Sequence, residues 1–299
     1  MNYKRVTQSK KMSFTIKQVL KESTETLSNK LVCPKNICRM DSEHFLMHVL
    51  KVNRSFLYMS ENSKLSTENL NQYNLLLKQR LLGRPFAQIL GSQQFYKSDF
   101  FVDENVLIPR SETEIIIPEI IKSGDYIYNE RESLTLIDAG TGTGCIGISL
   151  ALERNKWNIL LLEKELKSLH ILNSNLERFQ LSNCYIIFSD WLSSISNDFA
   201  DIIVSNPPYI DKSKDIIDEY VKKFEPSSAL YADGDGLSEI KKIIKNSKRV
   251  LKKEGLLFLE IGYKQSENVI SILRKNYYKD IKTILDYNGI KRFVVARHT

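Results

Sequence analysis

The residues best suited to chemistry are Asn206-Pro207-Pro208-Tyr209, which follow an apolar run ending at Ser205. Two adjacent prolines stiffen the backbone and remove two donors, leaving the Asn206 and Pro207 carbonyls outward as acceptors. With the Asn206 side-chain oxygen they suit both hydrogens of a planar NH2 group. The lone pair of such a nitrogen is delocalised, and holding the two hydrogens turns it toward an electrophile. In-line positioning of this kind supplies about 7 to 11 kcal/mol of a barrier, and the proton can leave after transfer without a strong base. Tyr209 is expected to pack against the planar group. Asn206, Pro207 and Tyr209 are therefore the catalytic candidates, and Pro208 completes the substrate contact.

A second constellation is suited to the electrophile. Asp138-Ala139 runs into Gly140-Thr141-Gly142-Thr143-Gly144, a loop that lets a ligand approach the backbone closely. Gly142, Gly144 and Gly147 also satisfy the spacing of a dinucleotide-binding turn. Charge separates the two readings: a pyrophosphate would be repelled by Asp138, whereas a sulfonium carrying an ammonium would be attracted. S-adenosylmethionine is the expected cofactor. About 20 residues on, Glu163 ends the next run, where a carboxylate accepts from ribose hydroxyls. Ser189-Asp190-Trp191 ends the third and offers an acid and an aromatic face to adenine.

These groups need a sheet to bring them together. Leu134 to Asp138, Trp157 to Leu162, Cys184 to Phe188, Asp201 to Val204 and Leu256 to Ile261 read as strands separated by amphipathic helices, which predicts a mostly parallel sheet covered on both faces. Ile281 to Leu285 and Lys291 to Ala296, joined at Tyr287-Asn288-Gly289, add an antiparallel pair and bring the count to seven. Ahead of the sheet, apolar residues from Phe14 to Leu82 recur at three and four and predict a small helical bundle. Helix starts are expected at Asp41-Ser42-Glu43 and at Ser66. Gln93 to Tyr96 and Phe100 to Val102 form a hairpin around a Lys97-Ser98-Asp99 turn. The domains expected are 13–84 (helical), 85–109 (hairpin linker) and 110–299 (catalytic).

With 299 residues and 42% hydrophobic content the chain can bury one large core and a small second one. Its formal charge of +7 is spread along a lysine-rich chain with no localised basic stripe, so no direct nucleic-acid binding is expected. No apolar run approaches the roughly 18 residues of a spanning helix, and no membrane association is expected. Four cysteines form neither a disulfide framework nor a zinc site; Cys33 and Cys38 read as buried thiols of a reducing, cytoplasmic protein. His44 and His48 lie one helical turn apart without a third ligand, so no metal is expected. Met1 to Met12 carries Lys4, Arg5, Lys10 and Lys11 without an acid; it lacks the amphipathic face of a transit segment and reads as an extension or a misplaced start.

The loop Gly140 to Gly144, Glu163, Ser189-Asp190-Trp191 and Asn206 to Tyr209 together resemble a class I amino-methyltransferase, with a Rossmann-like α/β fold. Gly83-Arg84-Pro85-Phe86-Ala87, Gly91, Phe95-Tyr96, Leu107-Ile108-Pro109-Arg110, Glu112-Thr113-Glu114, Phe224-Glu225-Pro226, Ala229-Leu230 and Asp235-Gly236-Leu237 narrow the resemblance to the release factor glutamine methyltransferase (HemK/PrmC) family. The resemblance implies methylation of the glutamine in the Gly-Gly-Gln loop of class 1 peptide chain release factors and docking of the factor on the helical domain; a monomer is expected. It also implies that Gly140 to Gly144, Glu163, Trp191 and Asn206 contact the cofactor; Asp190 is expected beside the adenine from its strand end, and Arg110 is expected among the substrate contacts. Ser111 also occurs in the sister family that modifies a glutamine of a large-subunit ribosomal protein, which stays an alternative. A DNA adenine N6-methyltransferase is another, since adenine N6 suits the same clamp; only about 90 residues follow Tyr209, too few for the sheet and a target-recognition region. A non-catalytic binder of release factors or ribosomes would have no need of an intact loop, acid and clamp.

Overall fold

The computed structural model describes residues 14–215 and 217–299. The expectation for Met1 to Met12 lies outside the described residues. Two compact units divide between Leu90 and Gly91.

The first unit consists of helices Ile16–Leu31, Lys35–Leu50, Arg54–Met59, Thr67–Leu81 and Phe86–Leu90. Thr15 and Gln18 form a reciprocal cap at the start of the first, and Ser66 caps the fourth by accepting from Asn69 N–H at 3.1 Å. Val19, Leu20, Phe45, Leu46 and Tyr73 fill the core, where the Tyr73 hydroxyl donates to Ser23 Oγ at 2.7 Å.

Asp41-Ser42-Glu43 does not begin a helix. The helix begins after Pro34, whose fixed φ suits a helix start, and the three residues lie buried in its middle. Their capping preference is overridden by partners: Asp41 pairs with Arg80 at 2.8 Å, and Glu43 with Arg39 at 2.6 Å and Arg54 at 2.7 Å. Cys33 and Cys38 are not separate thiols either. The turn at Pro34 brings their Cα atoms to 6.7 Å, within disulfide reach, and the two sulfurs are bonded.

In the second unit β1 (Ser92–Phe95) and β2 (Ser98–Phe101) form the expected hairpin, but its turn is the tighter pair Tyr96-Lys97, with Ser98 already paired to Phe95. Tyr96 takes the left-handed φ of 56° that so short a turn demands. The hairpin packs within this unit: Asn175 Oδ1 accepts from Phe101 N–H at 2.7 Å, and Phe100 packs on Phe179.

Seven strands follow: β3 (Thr135–Ala139), β4 (Asn158–Glu163), β5 (Cys184–Phe188), β6 (Ala200–Ser205), β7 (Leu251–Glu260), β8 (Lys279–Leu285) and β9 (Lys291–Arg297). Their order is β5-β4-β3-β6-β7-β9-β8. The first five in sequence are parallel and β9 runs antiparallel to both its neighbours. Strands buried on both faces are apolar along their centre, as β6 is over Ile202 to Val204; its buried polar residues Asp201 and Ser205 are both partnered. Along β3, Leu136 packs with helices Ile116–Arg131 and Cys145–Glu153, while Ile137 faces helices Ser238–Val250 and Ser266–Lys275. Each such side chain contributes about 1.5–3 kcal/mol on leaving water. Strand order reverses between β3 and β6, the place where an open α/β sheet leaves a crevice at its carboxyl edge.

Candidate active site

At that crevice lies a cavity of about 290 Å³ within the second unit. The loop after β3 forms its floor. Gly140 N–H and Thr141 N–H both donate to Leu162 O on β4, at 2.9 and 3.0 Å. Gly142, at φ 56°, would carry a Cβ into open space, so its backbone is bare to the cavity. Gly147 serves packing instead: a Cβ there would lie 2.2 Å from Leu161 Cδ2. Asp138, 1% exposed, accepts from Thr141 Oγ1 at 2.6 Å and Gly147 N–H at 3.0 Å. Burial nevertheless pushes its carboxyl up to about 6.

Glu163 ends β4 and lines the cavity. Its Oε1 accepts from the N–H groups of Lys164 and Glu165 at 2.8 and 2.9 Å, and its Oε2 accepts from Gly142 N–H at 3.0 Å. Three of a carboxylate's roughly four acceptor positions are thus taken by backbone, leaving room for about one ligand hydroxyl where two were expected. Trp191 lies over Gly140, where a Cβ would come within 2.6 Å of the ring, and its indole N–H donates to Glu239 Oε2 at 2.7 Å. Burial works to raise the Glu239 carboxyl, but Lys242 and Trp191 outweigh it and hold it below the ordinary range. Asp190 does not line the cavity: its side chain is 65% exposed and pairs with Lys164 at 3.2 Å.

Ser205 Oγ donates to Ala139 O at 2.7 Å, tying the end of β6 to the glycine loop and setting Asn206 at the cavity. Asn206 and Pro208 line it; Pro207 and Tyr209 do not. Where Tyr209 was expected to face a planar group, its hydroxyl donates to Glu260 Oε1 at 3.1 Å. Burial and the adjoining Glu260 charge push that phenol well up. Arg110 also lines the cavity, held by Glu225 at 2.6 Å.

Four site residues had no assigned role in the sequence. Thr113 accepts from Asn206 Nδ2 at 3.4 Å and donates to Glu260 Oε2 at 2.7 Å. Glu260 is 2% exposed, and burial lifts its carboxyl to about 7 against the lowering influence of Thr113, Tyr209 and Arg292. Glu225 and Glu239 are the others. A lone carboxylate closing the apolar run of β7 was the one available signal for Glu260.

Residues 126–235 match the methyltransferase small domain, and residues 18–91 match the PrmC N-terminal domain. The release factor glutamine methyltransferase of Coxiella burnetii is 34% identical over 93% of this chain and 98% of that protein. That of Buchnera aphidicola is 35% identical over 94% and 98%, and that of Escherichia coli K12 is 32% identical over 87% and 92%.

The chain belongs to the release factor glutamine methyltransferase family.

Among solved structures the hMettl16 catalytic domain, in complex with an RNA hairpin, aligns with a TM-score of 0.50 at 18% identity over 66% of this chain and 74% of that one, a likeness of fold. As in other members of this class, the cofactor is S-adenosylmethionine. The residues present suit it: a glycine backbone bare to the cavity, a buried carboxylate at Asp138 for positive charge, and Glu163 for a hydroxyl. Among the described residues no group of three metal-ligating side chains occurs, and no helix is long and apolar enough to cross a membrane.

Proposed function

We propose that this chain transfers a methyl group from S-adenosylmethionine to the side-chain nitrogen of the glutamine in the Gly-Gly-Gln motif of class 1 peptide chain release factors. The observation that carries the reading is the position of Asn206, beside the glycine loop at the cavity, in a chain that matches release factor glutamine methyltransferases over nearly their whole length.

When bound, the cofactor supplies an electrophilic methyl on a sulfonium. Asp138 attracts its positive charge, Gly140 to Gly144 give it backbone contact, Glu163 accepts from the ribose and Trp191 borders the base. The Asn206 side-chain oxygen and the Asn206 carbonyl take the two hydrogens of the glutamine amide, while Pro207, which does not line the cavity, stiffens the turn that presents them. Pro208 and Arg110 complete the walls, Arg110 held in place by Glu225, while Tyr209, outside the lining, is held by Glu260. Positioning and exclusion of water do the catalytic work, with no base required.

The unit with its own core over Ile16 to Leu90 is assigned to release factor docking, supported by its match to the PrmC N-terminal domain. Whole release factor should therefore show a lower KM than a short Gly-Gly-Gln peptide. The enzyme is taken to act as a monomer in the cytoplasm without nucleic acid.

The test offers labelled S-adenosylmethionine with a release factor, its glutamine-to-alanine variant, a large-subunit ribosomal protein and duplex DNA. Label on the unmodified release factor alone is expected; label on DNA, on the ribosomal protein, or equally on both release factors overturns the substrate.

A further inference from the structure

We propose that Thr113 and Glu260 form a relay behind the clamp that sets which end of the Asn206 amide faces the substrate, making both of them positioning residues for methyl transfer. The inference rests on the glutamine reading above.

An asparagine amide has a donor end and an acceptor end of nearly equal shape, and only the acceptor end can take a hydrogen from a substrate NH2. The Asn206 side chain meets Thr113 Oγ1 at 3.4 Å. A hydroxyl can satisfy either amide end, so Thr113 alone would choose neither. Glu260 makes the choice. Its Oε2 lies 2.7 Å from Thr113 Oγ1 and its Oε1 lies 3.1 Å from the Tyr209 hydroxyl. An ionised carboxylate only accepts, so it takes the single hydrogens of both hydroxyls. Thr113 is left with lone pairs alone toward Asn206. The amide must then present Nδ2 to Thr113, and Oδ1 becomes the atom available to the cavity.

The architecture makes the relay rigid. Ser205 pairs with Leu259 across β6 and β7, so Asn206, the first residue past β6, and Glu260, the last of β7, each follow a paired position. Thr113 sits on the 3-10 turn Ser111–Ile115 and is 2% exposed; Glu260 is equally buried. A charge so placed must be fully partnered to persist. Besides Thr113 and Tyr209, the groups facing it are Arg292 from β9, Glu112 from the same turn and, more distantly, the Cys145 thiol at the start of its helix. The clamp sequence itself gives no hint of this dependence, because Thr113 stands 147 residues from Glu260.

Protonation undoes the choice. A neutral Glu260 can donate to Thr113, which frees the Thr113 hydrogen for Asn206 Oδ1 and lets the amide invert. With the carboxyl raised to about 7, that inversion falls in the accessible range. The glutamine amide itself does not titrate there.

The experiment measures single-turnover methylation of a release factor by the full chain as wild type, Thr113→Val, Thr113→Ser and Glu260→Gln, with S-adenosylmethionine affinity by calorimetry. Thr113→Val should slow transfer about tenfold or more, with cofactor affinity and substrate KM within about twofold, and Thr113→Ser should restore it. The wild-type rate should fall on acidification through about pH 7, and Glu260→Gln should be slow and lack that limb. Thr113→Val as fast as wild type, or the same acid limb in Glu260→Gln, overturns the relay alone. A wild type that leaves the glutamine unlabelled overturns the glutamine reading and the relay with it.

Discussion

Replacing Glu163 by glutamine changes one atom and separates its two tasks. The carboxylate holds three backbone N–H groups, two on Oε1 from Lys164 and Glu165 and one on Oε2 from Gly142. A glutamine oxygen keeps the first two, but its NH2 then meets Gly142 N–H donor to donor. The glycine loop loses one of its three ties to β4, and any ribose hydroxyl that donates to this carboxylate meets a donor as well. A hydrogen bond to a charged group is worth about 1.5–3 kcal/mol, which corresponds to roughly a 10- to 150-fold rise in the S-adenosylmethionine Kd. Because the carboxylate is only 6% exposed, solvent gives little compensation. Calorimetric titration of wild type and Glu163→Gln, with urea unfolding of both to show that the variant is folded, gives the comparison. A Kd within twofold of wild type in a folded variant would refute the reasoning and reduce Glu163 to a turn-closing residue.

Asn206→Ala should abolish methyl transfer while leaving cofactor affinity within a few-fold, read by single-turnover labelling beside calorimetry; normal turnover would remove the clamp. Gly147→Ala drives a methyl to 2.2 Å from Leu161 Cδ2 and should cost about 1–3 kcal/mol in urea unfolding. Asp138 titrates near 6 because burial disfavours its charge. In the unliganded protein this carboxyl binds its proton more tightly folded than unfolded, so its stability contribution is present at acid pH and is lost as pH rises through about 6. A cationic ligand favours the ionised form, so cofactor affinity should fall as pH drops below about 6, and Asp138→Asn should lose that dependence.

The catalytic half was legible because strands buried on both faces must be apolar runs and because β3, β4 and β6 each end in a residue that breaks the run. Trp191 could be placed near the loop for the same reason, whereas Asp190 could not be told from it, since adjacent residues leave a strand end in different directions. What was hidden depends on partners distant in sequence. Asp41 resembles a helix cap until Arg80 is brought against it, 39 residues on. Glu225 belongs to a recognisable motif, but its role is hidden until Arg110 and Ile108 N–H meet its two oxygens. Tyr209 was expected at the substrate because its only visible neighbours were prolines; the buried Glu260 claims its hydroxyl instead. The Cys33–Cys38 bond rests on a turn geometry that spacing alone does not reveal.

The most direct test of the account is tandem mass spectrometry of a class 1 release factor after incubation with the enzyme and S-adenosylmethionine. One methyl group on the side-chain nitrogen of the Gly-Gly-Gln glutamine, absent with Asn206→Ala, is the predicted result. A methyl on any other residue, or an unmodified glutamine beside turnover of the cofactor, would contradict it.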